Sequence, residues 1–344
     1  MSEQFQLTDP ALVDGAESNG KPAVNGARIS VRELADGPVA TVLAVRAFEV
    51  RRKRNGEDFL QLLLGDRTGQ IRALSWEDVP ERRVLCEPGA MVWVRGEFKD
   101  DERWGPTLTI RELRRAEAGE YRTEEFVPTA EVPVERLEAA LRELIGTIQD
   151  PDLQRLLARL LGEGTTTWRR FREAPAAKHY HQAYRHGLLD HTVSVAQAVS
   201  AAASAFPGID RDIAVTGALL HDIGKTVAYN DDPLAIDLTD AGRLQGEIPL
   251  GYHLVRSTIE TIEEFDPGVA QAVLHIVLSH HGSHENGSPV IPCTREATLV
   301  HAIDNLGGKL GSFDRIEREL PDGETWSRFD RGIESAAYFG SRAA

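Results

Sequence analysis

All eleven histidines of this 344-residue chain lie between His179 and His301, and the 178 residues before them contain none. Within that window stands an ordered set: His191, then His221-Asp222 in Leu219-Leu-His-Asp-Ile-Gly-Lys225, then His280-His281, then Asp304. Imidazoles and carboxylates are the side chains that hold divalent ions at hydrolytic centres. They are spread from position 191 to position 304, so they converge only if the segments between them fold around one another. The chain is therefore constrained to bring several elements together around one polar point.

Those segments read as helices. Leu188 onward to 206, 210–222, 249–265, 267–281 and 295–310 are the candidates in the window, and Gly282 supplies a stop after the histidine pair. Ala214-Val-Thr-Gly-Ala-Leu-Leu-His221 and Val273-Leu-His-Ile-Val-Leu-Ser-His280 are apolar runs that end on the polar residues, and Asp304 follows the apolar Leu299-Val300. A ligand set delivered by apolar helices must be coordinated or hydrogen-bonded, because an unpaired buried polar group costs on the order of 1–3 kcal/mol. An isolated His on a helix is more often a core or surface residue than a ligand, and His179, His186, His275, His284 and His301 are read that way. Upstream, Val134 to Ile145 puts apolar residues on one helical face, and Pro151 opens a second helix that Gly162 ends.

The first half has a different period. Val39–Val45, Phe59–Leu64, Gln70–Trp76, Met91–Phe98 and Thr107–Arg111 are β-branched or alternating runs. Turn-forming Asn55-Gly56, Gly65 to Gly69 and Pro88-Gly89 separate them. Five short strands in under ninety residues predict a small closed barrel, which leaves no open edge. Residues 1–27 are polar and without period and are expected to be a disordered arm, and 117–133 are acidic and read as a linker. Residues 134–164 form a helical connector, so the fold class is two-domain, β then all-α.

Charge follows the same division. Residues 28–115 hold 17 Lys/Arg and 15 Asp/Glu, a net of +2, so with −15 overall the remainder carries −17. That excludes wholesale coating of nucleic acid and permits local phosphate binding in the first half. No stretch is apolar enough for a membrane span, the start lacks a signal pattern, and Cys86 and Cys293 are too few for a disulfide framework. A cytoplasmic protein with no membrane partner is expected.

The order His, His-Asp, Asp resembles the HD-domain metal-dependent phosphohydrolase superfamily, over about Thr165 to Phe313. Ala176-Ala-Lys178, Gly187-Leu-Leu-Asp-His191-Thr192, Gly217 to Lys225, Ser279-His-His-Gly282 and Gly287-Ser-Pro289 resemble, more narrowly, the YhaM-type 3′–5′ exoribonuclease family. That family joins an N-terminal OB-fold to an HD domain, so the resemblance assigns residues 28–116 to a five-stranded OB-fold barrel and 165–344 to the HD domain. It implies that His191, His221, Asp222 and Asp304 hold one divalent ion (Mn²⁺, Mg²⁺, Fe²⁺ or Co²⁺). Asp222 would bridge to a second ion on His280 and His281, and Lys225 would face a substrate phosphate. This chain departs from the family at four places. Glu247 follows Gly246 where histidine is usual and becomes a candidate ligand, Gln182 follows His181, Gly307 replaces a second Asp, and His186 stands where glycine is common.

Residues 59–76 resemble the strand-turn-strand of nucleic-acid-binding OB-folds. The run Arg51-Arg52-Lys53-Arg54 at a predicted hairpin tip is a candidate phosphate contact, and Trp76, Trp93, Phe98 and Trp104 are candidate stacking faces. Trp93 and Phe98 lie five apart, so on a regular strand one of them points into the barrel. The expected function is a metal-dependent exonuclease that shortens single-stranded RNA, or DNA, from its 3′ end by metal-activated water, with Asp222 and Lys225 as catalytic residues. Two alternatives stay open: hydrolysis of a small or cyclic nucleotide, and nucleic-acid binding with weak catalysis. The resemblance also implies self-association, for which the sequence carries no separate signal.

Overall fold

A computed structural model describes residues 29–340 apart from 102–104, 128–131, 179–181 and 322. The arm expected over residues 1–27 lies outside the described residues, as do Trp104, His179 and His181. The first domain has strands β1 (Gly37–Arg52), β2 (Asp58–Asp66), β3 (Gly69–Ser75), β4 (Met91–Asp101) and β5 (Gly105–Arg115), with helix α1 (Val79–Leu85) between β3 and β4. They close into a barrel in the order β1-β2-β3-β5-β4. β1 is long enough to pair with both β2 and β4, and β3–β5 is the parallel pair. This is the OB-fold topology. Alternation sets the core: Val92, Val94 and Phe98 of β4 point inward against Leu43, Leu60, Leu62, Leu64 and Leu108, while Arg95 and Glu97 face out. Each such buried apolar side chain contributes roughly 1.5–3 kcal/mol over exposure.

No apolar period marks α1 in the sequence, because it is anchored by polar contacts. Arg82 donates from Nη1 to Ser75 Oγ at 2.7 Å and from Nη2 to the Arg111 carbonyl at 2.9 Å. The segment after the barrel turns once at Thr123–Glu125 and lays Phe126 against Val42, Ala44 and Met91 on the barrel's outside.

Ten helices follow among the described residues: α2 (Val134–Gly146), α3 (Pro151–Leu161), α4 (Thr166–Glu173), α5 (Gly187–Ala205), α6 (Arg211–Leu220), α7 (Lys225–Ala228), α8 (Asp240–Gln245), α9 (Glu247–Glu260), α10 (Pro267–Ser279) and α11 (Arg295–Glu319). Side chains of Asp150, Thr165, Asp210, Thr239, Asp266 and Thr294 accept the orphan N–H groups at six of these starts. One continuous apolar core joins α2, α3, α5, α6, α9, α10 and α11. α11 runs past the expected end at 310 because its last turns gain partners from the C-terminal segment. Arg315 Nη2 meets Asp330 Oδ2 at 2.6 Å, and Ile316 is buried. None of the described helices is long and apolar enough to cross a membrane.

Candidate metal centre

Every residue from Ala214 to Leu220 is buried, so α6 is driven through the middle of the domain and leaves His221 and Asp222 at its inner end. α10 ends likewise, on His280 and His281. His191 projects from the second turn of α5, Asp304 from the middle of α11, Lys225 opens α7 and Glu247 opens α9. Gly224 allows the last two to approach. A Cβ there would lie 2.0 Å from the Glu247 carbonyl oxygen and 2.5 Å from Gly251 N, so only a hydrogen lets the start of α9 close on the His-Asp loop.

The set converges. His191 Nε2 is 3.2 Å from His221 Nε2 and 3.1 Å from Asp304 Oδ1. Asp222 divides its two oxygens: Oδ2 is 3.4 Å from both His191 Nε2 and His221 Nε2, and Oδ1 is 3.5 Å from His280 Nε2. Two groups of mutually close ligand atoms therefore share Asp222: His191 with His221, and His280 with His281. Glu247 Oε1 is 3.8 Å from His281 Nε2, at the edge of the second group. Lys225 Nζ reaches Asp222 Oδ2 at 2.6 Å.

These residues fit a divalent ion. His221 Nδ1 donates to the Ala218 carbonyl at 2.7 Å and His280 Nδ1 to the Val277 carbonyl at 2.9 Å. Because a carbonyl only accepts, Nδ1 carries a proton and Nε2 is the ring atom turned to the centre. Asp222 Oδ1 and His280 Nε2 are buried with no hydrogen-bond partner, the orphaned polar atoms that a bound ion would satisfy. Burial opposes ionisation of Asp222, yet Lys225 and His221 outweigh it and hold the carboxyl well below the usual range. Burial likewise opposes the charge on Asp304, and His191 and His221 outweigh it. Both carboxylates are thus ionised near neutral pH, the form that ligates.

His186 explains itself in the fold. Its backbone is left-handed (φ +69°), a conformation suited to glycine, and its Nδ1 donates to the Arg172 carbonyl at 2.7 Å, which offsets the strain. Gly307 lies one turn beyond Asp304 on α11 and adds no ligand. Tyr229, which no sequence pattern singles out, stands after α7 among Lys225, Glu247 and Asp222. Burial raises its hydroxyl pKa while Lys225 opposes the rise.

On the barrel the candidate residues are less uniform than their sequence suggests. Arg51 pairs with Glu49 at 2.9 Å, Arg52 with Asp58 at 3.2 Å and Lys53 with Glu57 at 3.2 Å; Arg54 alone of the four has no ion pair among the described residues. Trp76 is 39% exposed and stacks on Phe59 at 4.6 Å between centroids, with Lys53 Nζ 5.3 Å from its ring centroid. Phe98 points into the barrel, as alternation requires of one of the pair. Trp93 faces out, half-buried against the Val42, Ala44, Met91 and Phe126 patch, with the Arg114 guanidinium 4.8 Å from its ring centroid.

The family model described as HD domain matches residues 188–308, which span His191 to Asp304. The chain is 34% identical over 288 residues to the 3′-5′ exoribonuclease YhaM of Geobacillus sp. (strain WCH70), covering 83% of this chain and 86% of that one. It belongs to the YhaM family. It is also 31% identical to the YhaM of Bacillus subtilis (strain 168) over 80% of this chain and 86% of that protein. Among solved structures it is similar to the second OB-fold domain of replication protein A from Methanococcus maripaludis. That match has 20% identity over 27% of this chain and 98% of that one, at a TM-score of 0.21. Along this chain the barrel comes first and the HD-domain match follows it.

Proposed function

We propose that this chain is a metal-dependent 3′–5′ exonuclease acting on single-stranded RNA, with DNA as a second substrate, in the cytoplasm. The observation that carries it is the buried centre in which Asp222 turns one oxygen to His191 and His221 and the other to His280. Membership of the YhaM family supports the direction and the substrate. The two cysteines stand unpaired, in keeping with a reducing compartment.

In this reading His191, His221, Asp222 and Asp304 would hold one divalent ion, and Asp222, His280, His281 and Glu247 a second. Mn²⁺, Mg²⁺, Fe²⁺ and Co²⁺ all suit such mixed ligands. Bound there, an ion supplies activation of water and neutralises charge on phosphate oxygens. The chain's own residues do the rest. The Nδ1 anchors keep both imidazole Nε2 atoms aimed inward, and the apolar helices around them exclude bulk water. Lys225 orients Asp222 and sets a positive charge beside the position of the scissile phosphate. The barrel, residues 28–116, holds the strand by Trp76 and the Arg51 to Arg54 hairpin, whose exposed ion pairs are weak enough to exchange for phosphates. Self-association belongs to the same proposal and is checked by sedimentation velocity.

The deciding experiment incubates the purified protein and its isosteric Asp222→Asn variant with 5′-labelled single-stranded RNA and Mn²⁺, with and without EDTA. A ladder shortening from the 3′ end, reduced by at least about 10³-fold in the variant and lost with EDTA, is expected. Full activity in Asp222→Asn, with its circular dichroism unchanged, would refute the assignment of the centre.

A further inference from the structure

We propose that Arg46 fixes the barrel over the catalytic end of the helical domain, so that a strand held on the barrel enters the metal centre in one register. It is a positioning residue, remote from the reacting atoms, and the inference rests on the exonuclease reading above.

β1 pairs Val45 with Leu64 and Ala47 with Leu63, so Arg46 is the extra residue of a β-bulge. Bulges re-aim a side chain out of the strand's alternation. Here the guanidinium leaves the barrel and donates to two backbone carbonyls far away in sequence. Nη1 meets Leu234 O at 2.7 Å, and Nη2 meets Phe126 O. It passes close to Gly65 on β2, where a Cβ would lie 2.8 Å from the Gly69 carbonyl oxygen and 3.2 Å from Arg46 Nε. One fork thus ties together the barrel, the segment that leaves it and a loop of the helical domain.

That loop is the one that follows the His-Asp motif. It leaves α7 at Tyr229, four residues beyond Lys225, and is closed by the Tyr229–Leu238 bridge and by Asn230 Nδ2 donating to the Ala235 carbonyl at 2.9 Å. Leu234 packs into the patch of Val42, Ala44, Met91 and Phe126, and Asp232 lies under Gly89 of the barrel, where a Cβ would meet its Oδ2 at 2.9 Å. The barrel therefore holds the middle of a short loop whose first residue, Tyr229, lies four positions beyond Lys225. Glue alone does not call for this chemistry. A half-buried guanidinium whose buried Nε has no acceptor is a costly way to join surfaces, and apolar side chains hold as well. A rigid fork fixes orientation, which apolar contact does not.

The test compares wild type, Arg46→Met and Arg46→Lys as full chains in Mn²⁺ on two substrates. Bis(p-nitrophenyl) phosphate is small enough to need only the metal centre, and a long 5′-labelled single-stranded RNA needs the barrel as well. For Arg46→Met, kcat and KM on the small diester stay within about twofold of wild type, while KM on RNA rises by about tenfold or more. Arg46→Lys, charged but without the fork, falls between. An unchanged KM on RNA in Arg46→Met, even with a lowered melting temperature, would reduce Arg46 to structural support and overturn the inference. Equal losses on both substrates would do the same. If Arg46→Met does not fold, Arg46→Lys decides by the same split. Wild type that cleaves the diester but never RNA would remove the exonuclease reading itself, a result distinct from either.

Discussion

At the scale of single residues, the centre depends on charges taken out of water. Lys225 is half-buried with its ammonium on the buried Asp222 Oδ2, so it is held in place and its charge is partly shielded from solvent. Replacing it with Met should lower kcat on RNA by about 10²- to 10³-fold, the usual cost of one electrostatic donor. KM should change less, and steady-state kinetics with Mn²⁺ would show the split. The two thiols make an opposite pair. Burial in the barrel core pushes Cys86 up to about 11, whereas Cys293 is exposed. Native protein should therefore react with a thiol reagent at one rapid site, Cys293, and at Cys86 only on unfolding. Two rapid equivalents in the native state would show that the barrel core is open.

Elements are joined by polar contacts that no periodicity reveals. Asp152 in α3 accepts from Asp266 N at 2.7 Å, the residue that caps α10, and it also pairs with Arg155. The Asp266 N–H and then Arg155 lower its pKa. A depressed carboxylate contributes stability that is complete above its unfolded value, about 3.9, and is lost as pH falls through the folded value. Urea melts of wild type and Asp152→Asn should accordingly differ at pH 7 and draw together below about pH 4. A constant difference across that range would mean that the side chain acts by shape alone. The same contacts explain what was legible. Helices with apolar faces, α2, α3, α5, α6, α9 and α10, lie close to where their spacing puts them. α1, α7 and α8 carry no such period, α4 offers only the pair Trp168 and Phe171, and the ends of β1 and α11 follow from pairing and packing partners instead.

Across the whole molecule, the proposed function has the barrel and the centre serve one strand. Stacking of a base on an aromatic ring is worth about 1–3 kcal/mol, so Trp76→Ala should weaken RNA binding by about fivefold or more. Fluorescence anisotropy with a labelled single strand, with EDTA present to prevent cleavage, measures it. An unchanged Kd would place the strand elsewhere on the barrel. The wild-type Kd should also rise steeply with salt if the Arg51 to Arg54 hairpin meets phosphates.

The sequence by itself determined the two periods of the chain, the identity of the candidate ligands and the helices that carry them. Residue type and spacing are local properties, and the chemistry of imidazole and carboxylate needs no fold to be recognised. Only the tertiary structure decided which oxygen of Asp222 faces which histidine, that three of the four hairpin cations are already paired, and that Trp93 is half-buried under Arg114. Arg46 is the clearest case. In the sequence it is one arginine in an apolar strand, and a bulge of one residue turns it out to carbonyls 80 and 188 positions away. A contact of that span is set by how whole domains pack, and no local pattern encodes it.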